Sequence, residues 1–227
     1  MIEKTKGIVL DFIRYRETSV IVKIYTEEFG LKSYLVNGAR SSKNKSNPMA
    51  FFQPLTMLNL VVYNRPSGLN RIKEMSLEMA FQSIPFEIKK TSIAMFLVEM
   101  LSKSLREEEK NDHLFQFIQQ SLLFLDHCEA DYENFHIQFL FGLTHFLGIA
   151  IESSAEIFSQ LQDSGITVNQ ELSEKLHQII QGNYLAFVKL NGKTRSILLN
   201  YLIRFFQIHL ENFGEIKSLN ILKQINS

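Results

Sequence analysis

Up to about residue 80 the chain alternates between apolar and polar positions. Gly7 to Tyr15 is a short apolar run. Ser19 to Thr26 places Val20, Val22 and Ile24 on one side, and Leu31 to Val36 and Leu55 to Tyr63 are again β-branched and aromatic. Period two in such residues is the signature of strands. Leu69 to Leu77 supplies one more candidate, which makes about five strands. Glu27-Glu-Phe-Gly30 reads as the turn between the second and third strands, with Gly30 free to take positive φ, and Arg65-Pro-Ser-Gly68 reads as another.

After Pro85 the period changes. Ile93, Phe96, Leu97, Met100, Leu101 and Leu105 recur at three and four, as on one face of a helix, before the charged stretch Arg106 to Lys110. Leu114 to Leu125 and Phe135 to Phe146 are too apolar for surface helices, which predicts a helical bundle, with Gly148 ending the second of them. Thr194 to Phe213 predicts a long helix capped by Gly214. The expected architecture is therefore α+β: a strand domain over 1–80 and an all-helical domain over 81–227.

Composition adds to this picture only when counted by region. The whole chain balances 24 basic against 24 acidic residues. Between Phe29 and Lys73, however, there is no Asp or Glu, while Lys32, Arg40, Lys43, Lys45, Arg65, Arg71 and Lys73 stand unopposed. Three of them lie in or beside the polar loop Gly38-Ala-Arg-Ser-Ser-Lys-Asn-Lys-Ser-Asn47. A basic surface of this kind suits a polyanion. No apolar run approaches the roughly 18 residues of a membrane span, and the amino terminus carries Glu3 and no signal-type core, so a cytosolic protein is expected. The single Cys128 excludes an internal disulfide and any multi-cysteine zinc site.

Five short strands in about 80 residues suit an SH3-like barrel or an OB-fold, and pattern alone leaves both open. The OB-fold is favoured by what it does. Such barrels hold single strands by pairing a positive groove with aromatic platforms, and here Tyr15, Tyr25, Tyr34 and Tyr63 interleave with the basic residues.

The residues also resemble a known family. Lys6-Gly-Ile-Val-Leu10, Glu17-Thr-Ser19 before a strand, Tyr25-Thr-Glu-Glu-Phe-Gly-Leu31, and Asn37-Gly-Ala-Arg40 before a Ser/Lys-rich loop are similar in order and spacing to the amino-terminal domain of the RecO family of DNA repair proteins. Gln53-Pro-Leu55 and Gly68-Leu69 extend the likeness. Beyond residue 80 it is looser, resting on Glu99, Asn111-Asp-His-Leu-Phe115, Leu143 to Gly148 and Lys217-Ser-Leu219.

The resemblance implies an OB-fold followed by a helical domain, and a recombination mediator without nucleotide hydrolysis. It implies binding of single- and double-stranded DNA, annealing of complementary strands, and partnership with RecR in loading RecA onto DNA coated by single-strand-binding protein, SSB. It further implies capture of the acidic, apolar carboxyl-terminal tail of SSB. Arg40, Lys43 and Lys45 are the foremost candidates for phosphate contact, since small polar neighbours leave their side chains free. Lys32, Arg65, Arg71 and Lys73 follow, with Tyr34 as a stacking platform unless it faces the core. For the SSB tail, an apolar pocket with a positive rim is needed, and Arg204 with Tyr201 and Phe205 is one candidate. Arg195 is another, but nine positions at 3.6 residues per turn put it on the opposite face from Arg204.

Some RecO relatives carry a four-cysteine zinc module after the position matched by Gly148. This chain has no cysteine there, so no metal is expected, and His127 beside Cys128 supplies no ligand-like spacing. Glu27-Glu28 and Glu107-Glu-Glu109 lack partner ligands for a metal nuclease, and neither a phosphate-cradling loop nor a Gly-x-Ser-x-Gly turn is present. The expectation is a protein without enzymatic activity or cofactor. The alternatives are a scaffold whose basic barrel docks an acidic protein, and an RNA-binding OB protein.

Overall fold

A computed structural model describes residues 2–41, 47–64, 69–106, 109–151, 153, 155–156, 170–181, 188 and 190–225. Five strands, β1 (Ile2–Tyr15), β2 (Ser19–Thr26), β3 (Gly30–Val36), β4 (Met57–Tyr63) and β5 (Asn70–Met79), form a closed barrel in the order β1-β2-β3-β5-β4. All pairings are antiparallel except the short parallel closure of Tyr34 on Asn70 and Leu35 on Arg71. Of the two barrels that the pattern allowed, this is the OB-fold.

β1 begins five residues before the apolar run that announces it. Its first half pairs with β4, from Ile2 opposite Tyr63 to Ile8 opposite Met57, and its second half pairs with β2. An irregularity between Val9 and Asp11 bends the strand from one wall into the other. Gly7 sits where the walls meet, and a Cβ there would lie 2.6 Å from Ile24 Cγ2 and 2.9 Å from Leu60 Cδ1. Gly30 takes φ 59° in the β2–β3 turn. The Arg65–Gly68 turn lies outside the described residues, and a 3₁₀ turn (Pro48–Phe52) leads into β4.

Six described helices follow: α1 (Ile88–Ser104), α2 (Asp112–His127), α3 (Phe135–Phe146), α4 (Gln170–Gln181), α5 (Gly192–His209) and α6 (Ser218–Ile225). Gly148, at φ 69°, ends α3 as its position suggests. The α5 helix stops four residues before the expected end. Leu210 is extended, Asn212 takes φ 53°, and Phe213 turns back onto Phe206 with ring centroids 5.7 Å apart. Gly214 therefore lies beyond a reversal of the chain and does not cap the helix.

Two apolar clusters hold the molecule. Val9, Val20, Val22, Ile24, Tyr34, Phe52, Leu58, Leu60 and Val62 fill the barrel. The other joins barrel residues Ile8, Leu10, Tyr25, Leu31, Leu55 and Met57 to the helices, and Tyr25 stacks on Phe115 at 6.3 Å. Lys23 Nζ donates to Ser102 O at 3.0 Å, and Lys110 pairs with Glu28 across the same junction.

The connection between barrel and helices is held by Asp126, whose carboxylate accepts from the backbone N–H groups of Gln82, Ser83 and Ile84 at 2.8–2.9 Å. Burial alone would raise that carboxyl, but the three N–H donors outweigh it and hold it below the usual range. Lys90 is buried beneath, donating to Ser83 Oγ and Asp126 O and paired with Glu87. Among the described residues no helix is long and apolar enough to cross a membrane.

Candidate nucleic-acid interface

The helices cover the flank of the barrel that carries Ile8, Leu10, Tyr25 and Leu31. Register places the end of β3 between the beginnings of β2 and β5: Val36 lies opposite Val20, and Leu35 opposite Arg71. The β1–β2 turn, the end of β3 and the start of β5 therefore lie at one end of the barrel.

One part of this surface is a groove of about 470 Å³ lined by Phe12, Arg14, Ala39, Arg40, Ser41, Asn47 and Met49. Arg40 is not the free side chain expected of a polar loop. Its guanidinium donates to Arg16 O at 2.8 Å and Glu17 O at 2.6 Å, and its backbone N–H to Thr18 O, so it ties the loop after β3 to the β1–β2 turn. Arg14 is exposed in the same groove. Local sequence gave it no prominence because Asp11 and Glu17 stand nearby; Asp11 Oδ1 in fact accepts from the Phe12 N–H.

The second part is a row across the sheet. Tyr63, 38% exposed, lies opposite Arg71 on the neighbouring strand, also exposed, with Lys73 two residues on and 3.2 Å from Glu74. Cross-strand neighbours of this kind share one face, so an aromatic ring and a cation stand side by side. The four tyrosines divide. Tyr15 lies partly exposed with Arg16 over its ring at 5.2 Å, and Tyr63 is at the surface. Tyr25 is buried against the helices and Tyr34, 1% exposed, inside the barrel. Tyr34 thus takes its inward alternative and offers no stacking face; burial raises its hydroxyl well above the usual tyrosine range. Lys32 shares the parity of Tyr34 on β3 and is half-buried. Lys43, Lys45 and Arg65 lie outside the described residues.

Two family descriptions match the chain: Recombination protein O N terminal over residues 1–81, and Recombination protein O C terminal over residues 85–220. Together they span most of its length. The chain belongs to the RecO family. It is 39% identical over 238 residues to the DNA repair protein RecO of Flavobacterium johnsoniae, with 99% of each chain covered. It is 35% identical to the RecO proteins of Bacteroides fragilis, over 99% of each chain, and of Phocaeicola vulgatus, over the full length of both.

The expected pocket of Arg204, Tyr201 and Phe205 is not formed: Tyr201 is 0% and Phe205 1% exposed, both packed in the shared core, and Arg204 stands alone of the three at the surface. The aromatic periodicity that suggested a pocket is that of the core face of α5. A cavity of about 270 Å³ opens instead beside the start of that helix, lined by His136, Gly192, Lys193, Arg195, Ser196, Leu199, Leu222 and Lys223. Arg195 is held there by Asn134 Oδ1 at 3.1 Å and Leu190 O at 3.3 Å, and burial lowers its pKa. Lys223 donates to Asn200 Oδ1 at 2.8 Å. His136 is buried, with no described hydrogen-bond partner for Nδ1. Burial, aided by Arg195, holds its imidazole down at about 3, so it is neutral. Sequence reasoning missed this cavity because α3, α5 and α6 build it together.

Among the described residues no group of three or more His, Cys, Asp or Glu is placed to hold a metal ion. Cys128 Sγ donates to Ala130 O at 2.8 Å and His127 Nδ1 lies 2.7 Å from Leu123 O. Of the acidic clusters, Glu28 pairs with Lys110; Glu107, Glu108, Glu152, Ser154 and residues 157–169, including Asp163-Ser-Gly165, lie outside the described residues.

Proposed function

We propose that this RecO protein is a non-enzymatic recombination mediator that binds single- and double-stranded DNA without sequence preference at the loop end of its barrel. The observation that carries the reading is the open basic surface: a groove with Arg14 and Arg40, and the Tyr63–Arg71–Lys73 row beside it. Cations neutralise the phosphates of two strands and lower their mutual repulsion, while an exposed ring stacks on any base, which favours annealing over sequence readout. Lys32, Lys43, Lys45 and Arg65 join this surface on charge alone. The reading extends to work with RecR in loading RecA onto SSB-coated DNA.

The SSB tail, an acidic peptide ending in an apolar residue, fits the cavity beside α5. Lys193, Arg195 and Lys223 give the positive rim, Leu199 and Leu222 the apolar wall, and the volume has room for about one aromatic side chain.

The test is annealing of complementary oligonucleotides, bare and SSB-coated, by wild type, by an Arg14→Ala/Arg71→Ala/Lys73→Ala variant, and by Lys193→Glu/Lys223→Glu. Arg14, Arg71, Lys73 and Lys193 are exposed, and Lys223 is half-buried with one hydrogen bond to Asn200, so melting temperatures should change little, and each is measured as the folding control. The barrel variant should anneal poorly on both substrates. Its log K against log salt slope for single strands should be shallower by about 2, at about 0.7 per phosphate contact. The cavity variant should fail on coated strands only. Unchanged annealing by the barrel variant would move the weight to an acidic-protein scaffold, and a preference for folded RNA to an RNA-binding barrel.

A further inference from the structure

His136 is 1% exposed and forms part of the wall of the cavity beside α5, yet its Nδ1 has no hydrogen-bond partner among the described residues. Buried polar atoms are ordinarily satisfied, and one left over beside a cavity marks a place where an occupant acts on it. The charges around it have one sign. Lys193 and Arg195 come from α5 and Lys223 from α6, and no acidic side chain lines the cavity among the described residues. Glu133 acts on Arg195 from the segment before α3. The α1 helix meets the imidazole with Phe96, 5.9 Å away between ring centroids, and α4 packs Leu176 and Ile179 into the shared core. Burial lowers the pKa of Lys223 as it does that of Arg195. Gly192 and Lys193 also open the first turn of α5, where N–H groups have no partner within the helix and the dipole is positive. Cations, a helix start and an orphaned imidazole thus share one cavity without a counter-charge.

We propose that this cavity takes its anionic occupant together with a proton, which His136 holds for as long as the occupant stays. The inference rests on the reading that an acidic peptide binds here, and it adds how that binding is regulated. A carboxylate of the peptide enters, a water or buffer acid gives up a proton, and an N–H bond forms on the ring nitrogen of the neutral imidazole that carries none. The carboxylate supplies the charge that the empty cavity lacks. In the empty cavity, burial and Arg195 keep the ring neutral, near pKa 3. An opposite charge within about 4–6 Å favours the charged form, and exclusion of water by the peptide strengthens that attraction. Occupation therefore moves the ring back towards the ordinary histidine value of about 6.5. The occupied state holds a proton that the empty state refuses, so affinity rises as pH falls through the occupied-state value, by up to about tenfold per pH unit.

The probe is a synthetic acidic peptide with an apolar carboxyl-terminal residue, titrated calorimetrically into the full chain in buffers of different ionisation enthalpy. At pH 6 binding should draw protons from the buffer, and the dissociation constant should fall about threefold or more between pH 7.5 and 5.5. His136→Gln should still bind the peptide at pH 7.5, but with the proton uptake lost and the pH profile flat; its melting temperature is the folding control. Nitrogen NMR of wild type labelled at histidine reads the ring without any variant: the His136 signals should pass from the neutral to the imidazolium pattern when peptide is added at pH 6. Binding without proton uptake, uptake that persists in His136→Gln, or a ring that stays neutral overturns the proposal and leaves the peptide reading standing. No binding of the peptide at any pH overturns both.

Discussion

His136 shows what a single residue can carry. Its ring meets the edge of Phe96 at 5.9 Å, it is buried, and burial with Arg195 nearby keeps the imidazole near pKa 3, against about 6.5 in an unfolded chain. Between those values the unfolded state takes up a proton that the folded state refuses. The contribution is therefore complete above pH 6.5 and is lost as pH falls towards 3, at up to about 1.4 kcal/mol per pH unit. Urea unfolding of wild type and His136→Leu at pH 7.5 and 5 should show a clear loss for wild type and a flatter curve for the variant; parallel curves would remove His136 as the cause. Nothing in the local sequence singles this histidine out, because its environment is made by helices far apart in the chain. Tyr34 teaches the same lesson in a strand. Period two identified β3, but which parity faces inward depends on a register that composition does not state. Gly7 was legible only as part of an apolar run, yet Gly7→Ala should cost about 1–3 kcal/mol in denaturant unfolding, because Ile24 and Leu60 would have to move.

At the scale of elements, ends were harder to read than middles. Every strand and the first three helices were visible as periodic segments, since periodicity reports the buried face directly. The end of α5 was not visible, because Phe213 remains buried after the chain reverses, and an apolar residue looks alike in sequence on either side of the reversal. Starts depend on smaller signals. Asn111 Oδ1 accepts from the Leu114 N–H at 3.0 Å to open α2, and Asn191 Oδ1 from the Thr194 N–H at 2.8 Å to open α5. Each satisfies a donor that the helix leaves unpaired. The α6 helix borrows its cap from another element. Glu99 on α1 accepts from the N–H groups of Lys217 and Ser218 and from Ser218 Oγ at 2.7–2.9 Å. Asn191→Ala should lower unfolding free energy by about 1 kcal/mol, and Asn191→Asp should keep most of it. Since α5 supplies Lys193 and Arg195 to the cavity, equilibrium unfolding should be read together with binding of an SSB-tail peptide. A variant that loses the cap but keeps full stability would mean that tertiary packing alone holds the helix start.

For the whole molecule, the change of period near residue 80 says that two architectures follow one another. It does not say that they share a core. The shared core arises because the barrel is apolar on both sides of its wall: Val22 and Ile24 point into the barrel while Tyr25 and Ile8 point out to the helices. Leaving those outward residues in water would expose a contiguous apolar flank, the kind of surface that soluble monomers cover. The barrel and helices should therefore unfold as one cooperative unit, with barrel and helix probes giving coincident transitions. Tyr25 and Phe115 report the coupling. In a double-mutant cycle, Tyr25→Ala and Phe115→Ala should be non-additive by about 0.5–1.5 kcal/mol, the range of a stacked aromatic pair. A fragment ending near residue 85 should bind an apolar dye and melt well below the full chain. Additive losses, or two separate transitions, would mean that the junction is mere contact. In that case the barrel would owe its placement against the helices to the linker held by Asp126 and Lys90 and not to the core.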